Sequence, residues 1–261
     1  MKVLVLGGNG MMGPWVVRAL EGRHELRVTD VNDPPAGFAH EYVKLDVGDL
    51  DGVVRAAEGM DAILNLSVMR HDRRLAFDVS ARGNYNLAVA AVRHGVRRIV
   101  NTGPHFQVAG PQYEEWDFAL NPDMPPRPGT RLYPLTKALG QEVLRVFAER
   151  HDLYVQTLLF CNLRQTDTLR GPEGTPEWHR VPGSDMWPFT TAWPDVGTAV
   201  RAALEVELAR LPSRCETYFV LPDIPHGKFA NAKIQRVLGW QPRYQLEPFW
   251  NKVPPDGQGG A

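Results

Sequence analysis

The sequence predicts an α/β fold in which helices cover both faces of a doubly wound parallel sheet. Apolar runs of strand length recur along the chain, at residues 2–7, 25–30, 62–67, 97–103 and 154–160. Segments with helical spacing or polar loops separate them, which is the pattern of βαβ units and hence of parallel strands. The first run passes directly into a glycine-rich turn, as expected where the first strand of such a sheet leads into its first helix.

The predicted helices follow these strands in order, because their apolar residues recur at helical intervals. Their sequences are PWVVRAL, DGVVRAAEG, LAFDVSARGNYNLAVAAVRHG and TKALGQEVLRVFAERH. From Asp195 onward a further helix (DVGTAVRAALEVELARL), a strand (CETYFVL) and a short helix near 229–239 complete the pattern.

Composition restricts the class of protein. The chain has 261 residues, 43% of them hydrophobic and 23% charged, which is typical of an ordinary globular domain. A formal net charge of -1 gives no reason to expect a nucleic acid or membrane partner. Cys161 and Cys215 are too few for a disulfide framework or a zinc site, so no metal is expected. The opening MKVLVLGGNG has too short an apolar run for a signal peptide, which predicts a cytoplasmic protein.

The turn LGGNGMMG places Gly7, Gly10 and Gly13 between the first strand and the first helix. Glycines there allow a tight turn, let backbone N–H groups approach a pyrophosphate, and let the helix pack close to the strand. A purely structural turn would use the same residues, but the position after an N-terminal buried strand favours a dinucleotide site. The sequence therefore predicts a Rossmann-type fold.

Asp30 ends the second strand, at about the distance beyond the glycines where a carboxylate receives the adenosine ribose hydroxyls. An anion there repels a 2′-phosphate, and no Lys or Arg follows within VNDPPAG, so NAD is predicted rather than NADP. The alternative is that Asp30 only opens a turn with Asn32 and Asp33. For Asp46, which follows the third strand, contact with adenine and a helix cap both remain open.

The segment RLYPLTKALG places Tyr133 and Lys137 four residues apart at the start of a helix, and hence on one helical face. A phenol has an ordinary pKa of about 10, but a neighbouring ammonium stabilises the phenolate and lowers that pKa. Such a pair can take a proton from a substrate hydroxyl as hydride leaves for NAD.

The regular pattern fails between about 164 and 194, where the chain is rich in Pro, Gly and Trp. Long irregular stretches of this kind are usually functional loops. We therefore predict an NAD-binding Rossmann core over 1–163, a small C-terminal substrate-binding lobe with returning helix and strand elements over 164–250, and a disordered tail over 251–261.

Taken together, these motifs resemble the extended short-chain dehydrogenase/reductase family, also called the NAD-dependent epimerase/dehydratase family. The matching pieces are LGGNGMMG, Asp30, the LD of LDVGDL, NLSV, GNYNLAVAA, YPLTK, FCNL, PDVGTAV and FANAKIQRVLGW. The resemblance implies a Tyr/Lys pair at the nicotinamide and a homodimer formed through the long helices over 75–94 and 133–150. It also implies a cofactor site at Gly7, Asn9, Gly10, Met11, Met12, Gly13, Asp30, Val31, Asp46, Val47, Leu66, Ser67, Val68, Tyr133, Lys137 and Asn162.

The fifth strand ends in NTGPHF, where family members usually carry a serine that holds the substrate oxygen. Counting along the strand puts Thr102 at the first hydroxyl position of that turn. The same count puts Pro104 at the position of the catalytic serine, and one inserted residue would put His105 at that position instead. Three possibilities follow: Thr102 supplies the contact, His105 supplies it through its imidazole, or the contact is absent.

The chain is short for a nucleotide-sugar enzyme of this family, which favours a small substrate. Its size and the histidine of the NTGPHF turn resemble the family's uronate dehydrogenases, although Asp185 stands where their carboxylate-binding arginine is expected. His105, Asn162 and Arg164 are the substrate-binding candidates, with Arg170 and Arg180 as further cations. Trp178, Trp187 and Trp193 are candidate pocket walls or core residues. The predicted function is an NAD-dependent oxidoreductase acting on a hydroxyl or carbonyl of a small sugar or sugar acid. The alternatives are an epimerase or dehydratase that retains NAD, and a non-catalytic NAD-binding protein.

Overall fold

The computed structural model describes residues 1–110, 120–164, 190–222 and 227–244, and its centre is a seven-stranded sheet in which every neighbouring pair is parallel. In chain order the strands are β1 (Lys2–Leu6), β2 (Glu25–Asp30), β3 (Glu41–Lys44), β4 (Ala62–Asn65), β5 (Arg98–Pro104), β6 (Tyr154–Phe160), the short β7 (Leu163–Arg164) and β8 (Thr191–Ala192), and β9 (Cys215–Val220). The sheet order is β3-β2-β1-β4-β5-β6-β9, so the winding direction reverses between β1 and β4. The predicted Rossmann-type fold is confirmed.

Helices cover both faces of this sheet, as predicted. They are α1 (Gly13–Leu20), α2 (Leu50–Ala56), α3 (Arg73–Phe77), α4 (Gly83–His94), α5 (Phe106–Ala109), α6 (Leu132–Arg150), α7 (Trp193–Glu205) and α8 (Ala232–Leu238). A π-helical turn (Asp78–Arg82) joins α3 to α4, and a 3-10 turn spans Leu208–Arg210. One large apolar core lies under α1, α7 and α8, and a second lies under α2, α4 and α6. A smaller cluster beside α5 includes Val108, Leu159 and Phe219.

The first strand shows why the sheet is buried on both sides. Val3 and Val5 point into one core, while Leu4 and Leu6 point into the other, and all four are at most 1% exposed. Successive side chains of a strand face opposite sides of a sheet. An uninterrupted apolar run is therefore what a parallel strand covered by helices on both faces requires.

The chain after residue 163 returns to the same sheet. Helix α7 packs against α1, and β9 adds to the sheet beside β6. The division at 163/164 into a core and a substrate lobe stays a prediction, because 165–189, 223–226 and 245–250 lie outside the described residues, as does the predicted tail over 251–261. Across the described segments, no helix combines the length and apolar character needed to cross a membrane.

Helices α1 and α7 touch at Gly197. A Cβ atom on Gly197 would lie 2.5 Å from the carbonyl oxygen of Trp15 and 2.9 Å from the Cβ atom of Ala19. Both distances are shorter than real van der Waals contacts, so any side chain at residue 197 pushes the two helices apart.

We expect Gly197→Ala to lower the free energy of unfolding by about 1–2 kcal/mol, because the overpacking cost exceeds the gain in helix propensity. Urea unfolding measures the change. Arg201→Ala on the same helix is the control, since its ion pair with Glu205 is long and partly exposed and is worth less than about 0.5 kcal/mol. An unchanged or raised midpoint for the glycine variant would contradict the close packing of α1 on α7.

Candidate active site

A groove crosses the carboxyl ends of the strands at the point where the sheet order reverses. It consists of two adjoining cavities of about 590 Å³ and 310 Å³ that share Gly7, Val68 and Met69. Ligands of open α/β sheets bind at this kind of switch point. The larger cavity is lined by residues that include Gly7, Gly10, Met11, Met12, Leu66, Arg70, His71, Thr102, Gly103, Pro104, Phe106, Tyr133, Lys137, Cys161, Leu163 and Trp193. The smaller is lined by residues that include Thr29, Asp30, Val31, Leu45, Asp46, Val47, Ser67, Leu75 and Val79.

The glycine turn is shaped by contacts that exclude side chains. Gly7 has φ +75°, and a Cβ atom there would lie 2.8 Å from the Cα and N atoms of Ser67. A Cβ atom on Gly13 would lie 1.8 Å from the carbonyl oxygen of Gly8. Gly10 is exposed on the lining of the larger cavity, and a Cβ atom there would meet only the Gly7 carbonyl oxygen, at 3.3 Å. The first and last glycines therefore fix the turn, and the middle one leaves its backbone accessible.

Asp30 supports this turn from the end of β2. Its carboxylate accepts hydrogen bonds from the backbone N–H of Asn9 (3.1 Å) and from the backbone N–H and side-chain amide of Asn32 (both 3.1 Å). The carboxylate thus opens a turn with Asn32, and it also lines the smaller cavity. The nearby cation Lys44 is paired with Asp33 at 2.9 Å.

The other side of the smaller cavity is formed by the loop after β3. Asp46 accepts a hydrogen bond from the backbone N–H of Gly48 at 2.8 Å, so it has a local structural role while also facing the cavity. The buried Val47 accepts a hydrogen bond from the side-chain amide of Asn86 through its carbonyl (2.9 Å). Val31 is exposed on the rim, and the Asn9 side chain donates to the Asp33 carbonyl rather than into the groove.

A buried asparagine network lies under the larger cavity, and sequence reasoning missed it. The Asn65 amide donates to Asn84 (3.2 Å) and Asn101 (3.1 Å), and its side-chain oxygen accepts from the backbone N–H of Ser67 (3.1 Å). Thr102 donates its hydroxyl to the Asn65 carbonyl at 2.9 Å. Asn65 ends β4 and pairs with Asn101 in the middle of β5. The signal in the sequence was that each asparagine stands within an otherwise apolar run.

Tyr133 and Lys137 occupy the first two turns of α6 and line the larger cavity. The Lys137 ammonium is buried and donates to the Ser67 carbonyl at 2.7 Å. Burial, and secondarily the charge of Arg70, lower the pKa of Lys137 to about 7. Burial raises the pKa of Tyr133, while the charge of Arg70 and a hydrogen bond to it act in the opposite direction.

Arg70 is a cavity residue that the sequence did not single out. It lies in the loop after β4, and its guanidinium carbon is 5.2 Å from the centre of the Tyr133 ring. Its neighbour His71 lines the same cavity. Only Met69 separates them from NLSV, and their position beyond the end of a strand was the one clue in the sequence.

At the end of β5, the two candidates for the substrate contact in NTGPHF, Thr102 and His105, occupy different environments. The strand continues to Pro104, so Thr102, Gly103 and Pro104 all line the larger cavity. His105 precedes α5, is buried, and is absent from the described lining. Its Nε2 atom lies 3.6 Å from the Cys161 Sγ atom, and its ring packs against Phe106 at 5.0 Å.

Asn162 and Arg164 lie at the edge of this region and are not among the described lining residues. Asn162 donates its amide to the Thr190 hydroxyl at 2.9 Å, and Arg164 donates to the Leu163 carbonyl at 3.1 Å. Trp193 serves in both predicted ways, since it packs in the core and also lines the cavity. The other predicted substrate-side residues, Arg170, Arg180, Asp185, Trp178 and Trp187, lie outside the described residues.

A model of the NAD dependent epimerase/dehydratase family matches residues 3–166. The chain is similar to a uronate dehydrogenase of Pseudomonas syringae, with 28% identity over 157 residues that cover 58% of this chain and 56% of that protein. It therefore spans just over half the length of this relative. A NAD-dependent glucose-6-phosphate dehydrogenase of Haloferax volcanii is 24% identical over 268 residues, 95% of each chain.

The fold is also that of solved structures. A uronate dehydrogenase from Agrobacterium tumefaciens superposes with a TM-score of 0.72 over 98% of this chain and 91% of that chain, at 24% identity. At this level of identity the likeness concerns the fold alone.

The buried imidazole of His105 makes stability depend on pH. Burial lowers the pKa of His105 to about 4, from an ordinary 6.5. Between these values the unfolded chain binds the proton that the folded chain excludes, so stability falls as the pH drops from 6.5 to 4. This difference in pKa between the unfolded and folded chain corresponds to about 3 kcal/mol of unfolding free energy.

We therefore expect His105→Gln to flatten the dependence of the unfolding free energy on pH between 4 and 6.5, measured by urea unfolding at a series of pH values. The exposed His151→Gln is the matched control and should retain the slope of the parent protein. Equal slopes for the parent and His105→Gln would contradict a buried neutral imidazole.

Proposed function

Because the chain belongs to the NAD dependent epimerase/dehydratase family, we propose that it is an NAD-dependent oxidoreductase acting on a hydroxyl or carbonyl group of a small sugar or sugar acid. The observation that carries this proposal is the position of Tyr133 and Lys137 in the same cavity as the glycine turn. A proton acceptor and a dinucleotide cradle meet there, which is what removal of a proton together with a hydride requires.

The residues at the groove suit NAD. The exposed backbone of Gly10 is available to the pyrophosphate. Asp30 provides a carboxylate beside the apolar side chains of the smaller cavity, where the adenosine would bind. That carboxylate disfavours the 2′-phosphate of NADP. When bound, NAD supplies a hydride acceptor, and the larger cavity next to Tyr133 is the place for nicotinamide and substrate.

Within the chain, Tyr133 is the proposed base that accepts the proton of the substrate hydroxyl. Lys137, held by the Ser67 carbonyl, adds positive charge that favours the phenolate. The Thr102 hydroxyl donates to the Asn65 carbonyl, so it offers the cavity a lone pair and acts as an acceptor. His105 is proposed as a packing residue behind this surface, because it lies outside the described lining and its pKa is about 4.

The charge of the larger cavity supports an anionic substrate. Arg70, His71 and Lys137 line it, and no carboxylate does so among the described residues. A guanidinium suits a carboxylate or phosphate group, which a sugar acid or sugar phosphate supplies. Asn162 and Arg164 remain proposed substrate contacts at its edge.

Specific observations support each of two alternatives. The family description includes epimerases and dehydratases, which would retain NAD and show no net redox change. NTGPHF contains no serine, and the Thr102 hydroxyl already donates its proton to the Asn65 carbonyl. Both features would suit a protein that binds NAD without turnover. NAD that copurifies tightly supports the first, and exchangeable NAD without product from any substrate supports the second.

We further propose a cytoplasmic homodimer. The outward faces of α4 and α6 expose Tyr85, Val92, Leu139 and Val146, each between 37% and 48%. The rings of Tyr85 on α4 and Phe147 on α6 pack with their centres 5.7 Å apart, so the exposed faces of the two helices adjoin. Neither cysteine forms a disulfide, which suits a reducing compartment.

We expect Tyr133→Phe to lower kcat at least about a hundredfold, the usual contribution of a general base, while NAD affinity stays within about twofold of the parent. NADH formation across sugar acids, aldoses and small secondary alcohols measures the first, and calorimetry measures the second. Tyr154→Phe, at the far end of the sheet, is the control. Equal turnover in Tyr133→Phe would refute the proposed base.

The dimer predicts that replacing Leu139 and Val146 together by Glu gives monomers, because two charges would then be buried in the subunit contact. Light scattering coupled to size exclusion measures the mass. Arg150→Glu, an exposed charge change on the same helix, should leave the dimer intact. A parent protein that is monomeric at micromolar concentration would exclude the proposed interface.

A further inference from the structure

The guanidinium of Arg70 stands directly over the tyrosine of the proposed active site. Its Cζ atom is 5.2 Å from the centre of the Tyr133 ring, within the range of a cation–π contact. Arg70 is exposed at the rim and lines the larger cavity together with Tyr133 and Lys137. The loop after β4 therefore places a cation beside Tyr133, in addition to Lys137, which α6 supplies.

Lys137 alone provides a weaker cation than its position suggests. Its ammonium is buried and already donates to the Ser67 carbonyl. With a pKa of about 7, it is partly neutral at neutral pH. An arginine keeps its charge throughout the physiological range. The permanent positive charge beside Tyr133 is therefore that of Arg70.

We propose that Arg70 is a positioning residue for the reaction, whose guanidinium stabilises the phenolate of Tyr133. This inference deepens the proposed function and rests on it for the role of Tyr133 in turnover. In the step concerned, the substrate O–H bond breaks, its proton forms the O–H bond of Tyr133, and the electron pair stays on the substrate oxygen. Arg70 remains protonated throughout.

The surroundings of Tyr133 agree with this role. Among the described residues, the titratable groups that share its cavity are Lys137 on α6, Arg70 and His71 after β4, and Cys161 after β6. Phe106 packs edge-on against its ring at 6.0 Å. Burial raises the pKa of Tyr133, and Arg70 acts against that effect by charge and by a hydrogen bond. Within the described part of the lining, no anion competes for the guanidinium.

The first test needs no substrate. Ultraviolet absorbance of the full-length protein is followed against pH for the parent and for Arg70→Met. From each titration curve, the curve of the same protein carrying Tyr133→Phe is subtracted. The difference isolates ionisation of Tyr133. We expect the phenolate signal of Tyr133 to appear at higher pH in Arg70→Met than in the parent. Coincident titrations would overturn the proposal, even if no substrate is ever found.

The second test uses the substrate identified by the NADH assay. Arg70→Met should lose about tenfold or more in kcat/KM at pH 7 and recover toward high pH, because its tyrosine ionises later. Arg70→Lys should retain most of the activity, and Arg74→Met, an exposed arginine of α3, is the control. A raised KM with an unchanged pH profile would instead make Arg70 a substrate-binding residue only and would overturn the proposal, as would parental kinetics.

Discussion

The peptide of Ser67 is the point on which the candidate site depends. Its backbone lies so close to Gly7 that no side chain fits between them, and its N–H is held by the Asn65 side chain at 3.1 Å. Its carbonyl accepts the ammonium of Lys137 at 2.7 Å. The backbone of one residue thus joins the glycine turn, the end of β4 and the start of α6. Because backbone atoms make all three contacts, the identity of the Ser67 side chain could not have indicated them.

The parts of the structure that follow from local pattern were predictable. Continuous apolar runs predicted the buried strands, and apolar residues at helical intervals predicted the helices, because both signals are repeated many times along the chain. The position of Gly7 and Asp30 at the groove was predictable because each follows a strand at a characteristic distance along the chain. Tyr133 and Lys137 were found because one helical turn places them on the same face.

What escaped prediction depends on contacts between distant segments. Whether Thr102 or His105 faces the cavity is decided by how far β5 continues beside β6, and the structure carries it to Pro104. A count along the sequence cannot fix where a strand ends. Arg70 was missed because its partner is about sixty residues away and its own segment has no regular period. The net charge of -1 likewise hides a cavity whose described charged residues are cationic.

The short pair of β7 and β8 has a consequence for how such a protein changes over time. Leu163 pairs with Thr191 and Arg164 pairs with Ala192, so the chain leaves the Rossmann core and re-enters it at neighbouring points. Closing a longer loop between fixed ends costs little additional entropy. Insertions or deletions between Arg164 and Thr191 would therefore leave the pairing of β7 with β8, and the core beside it, in place.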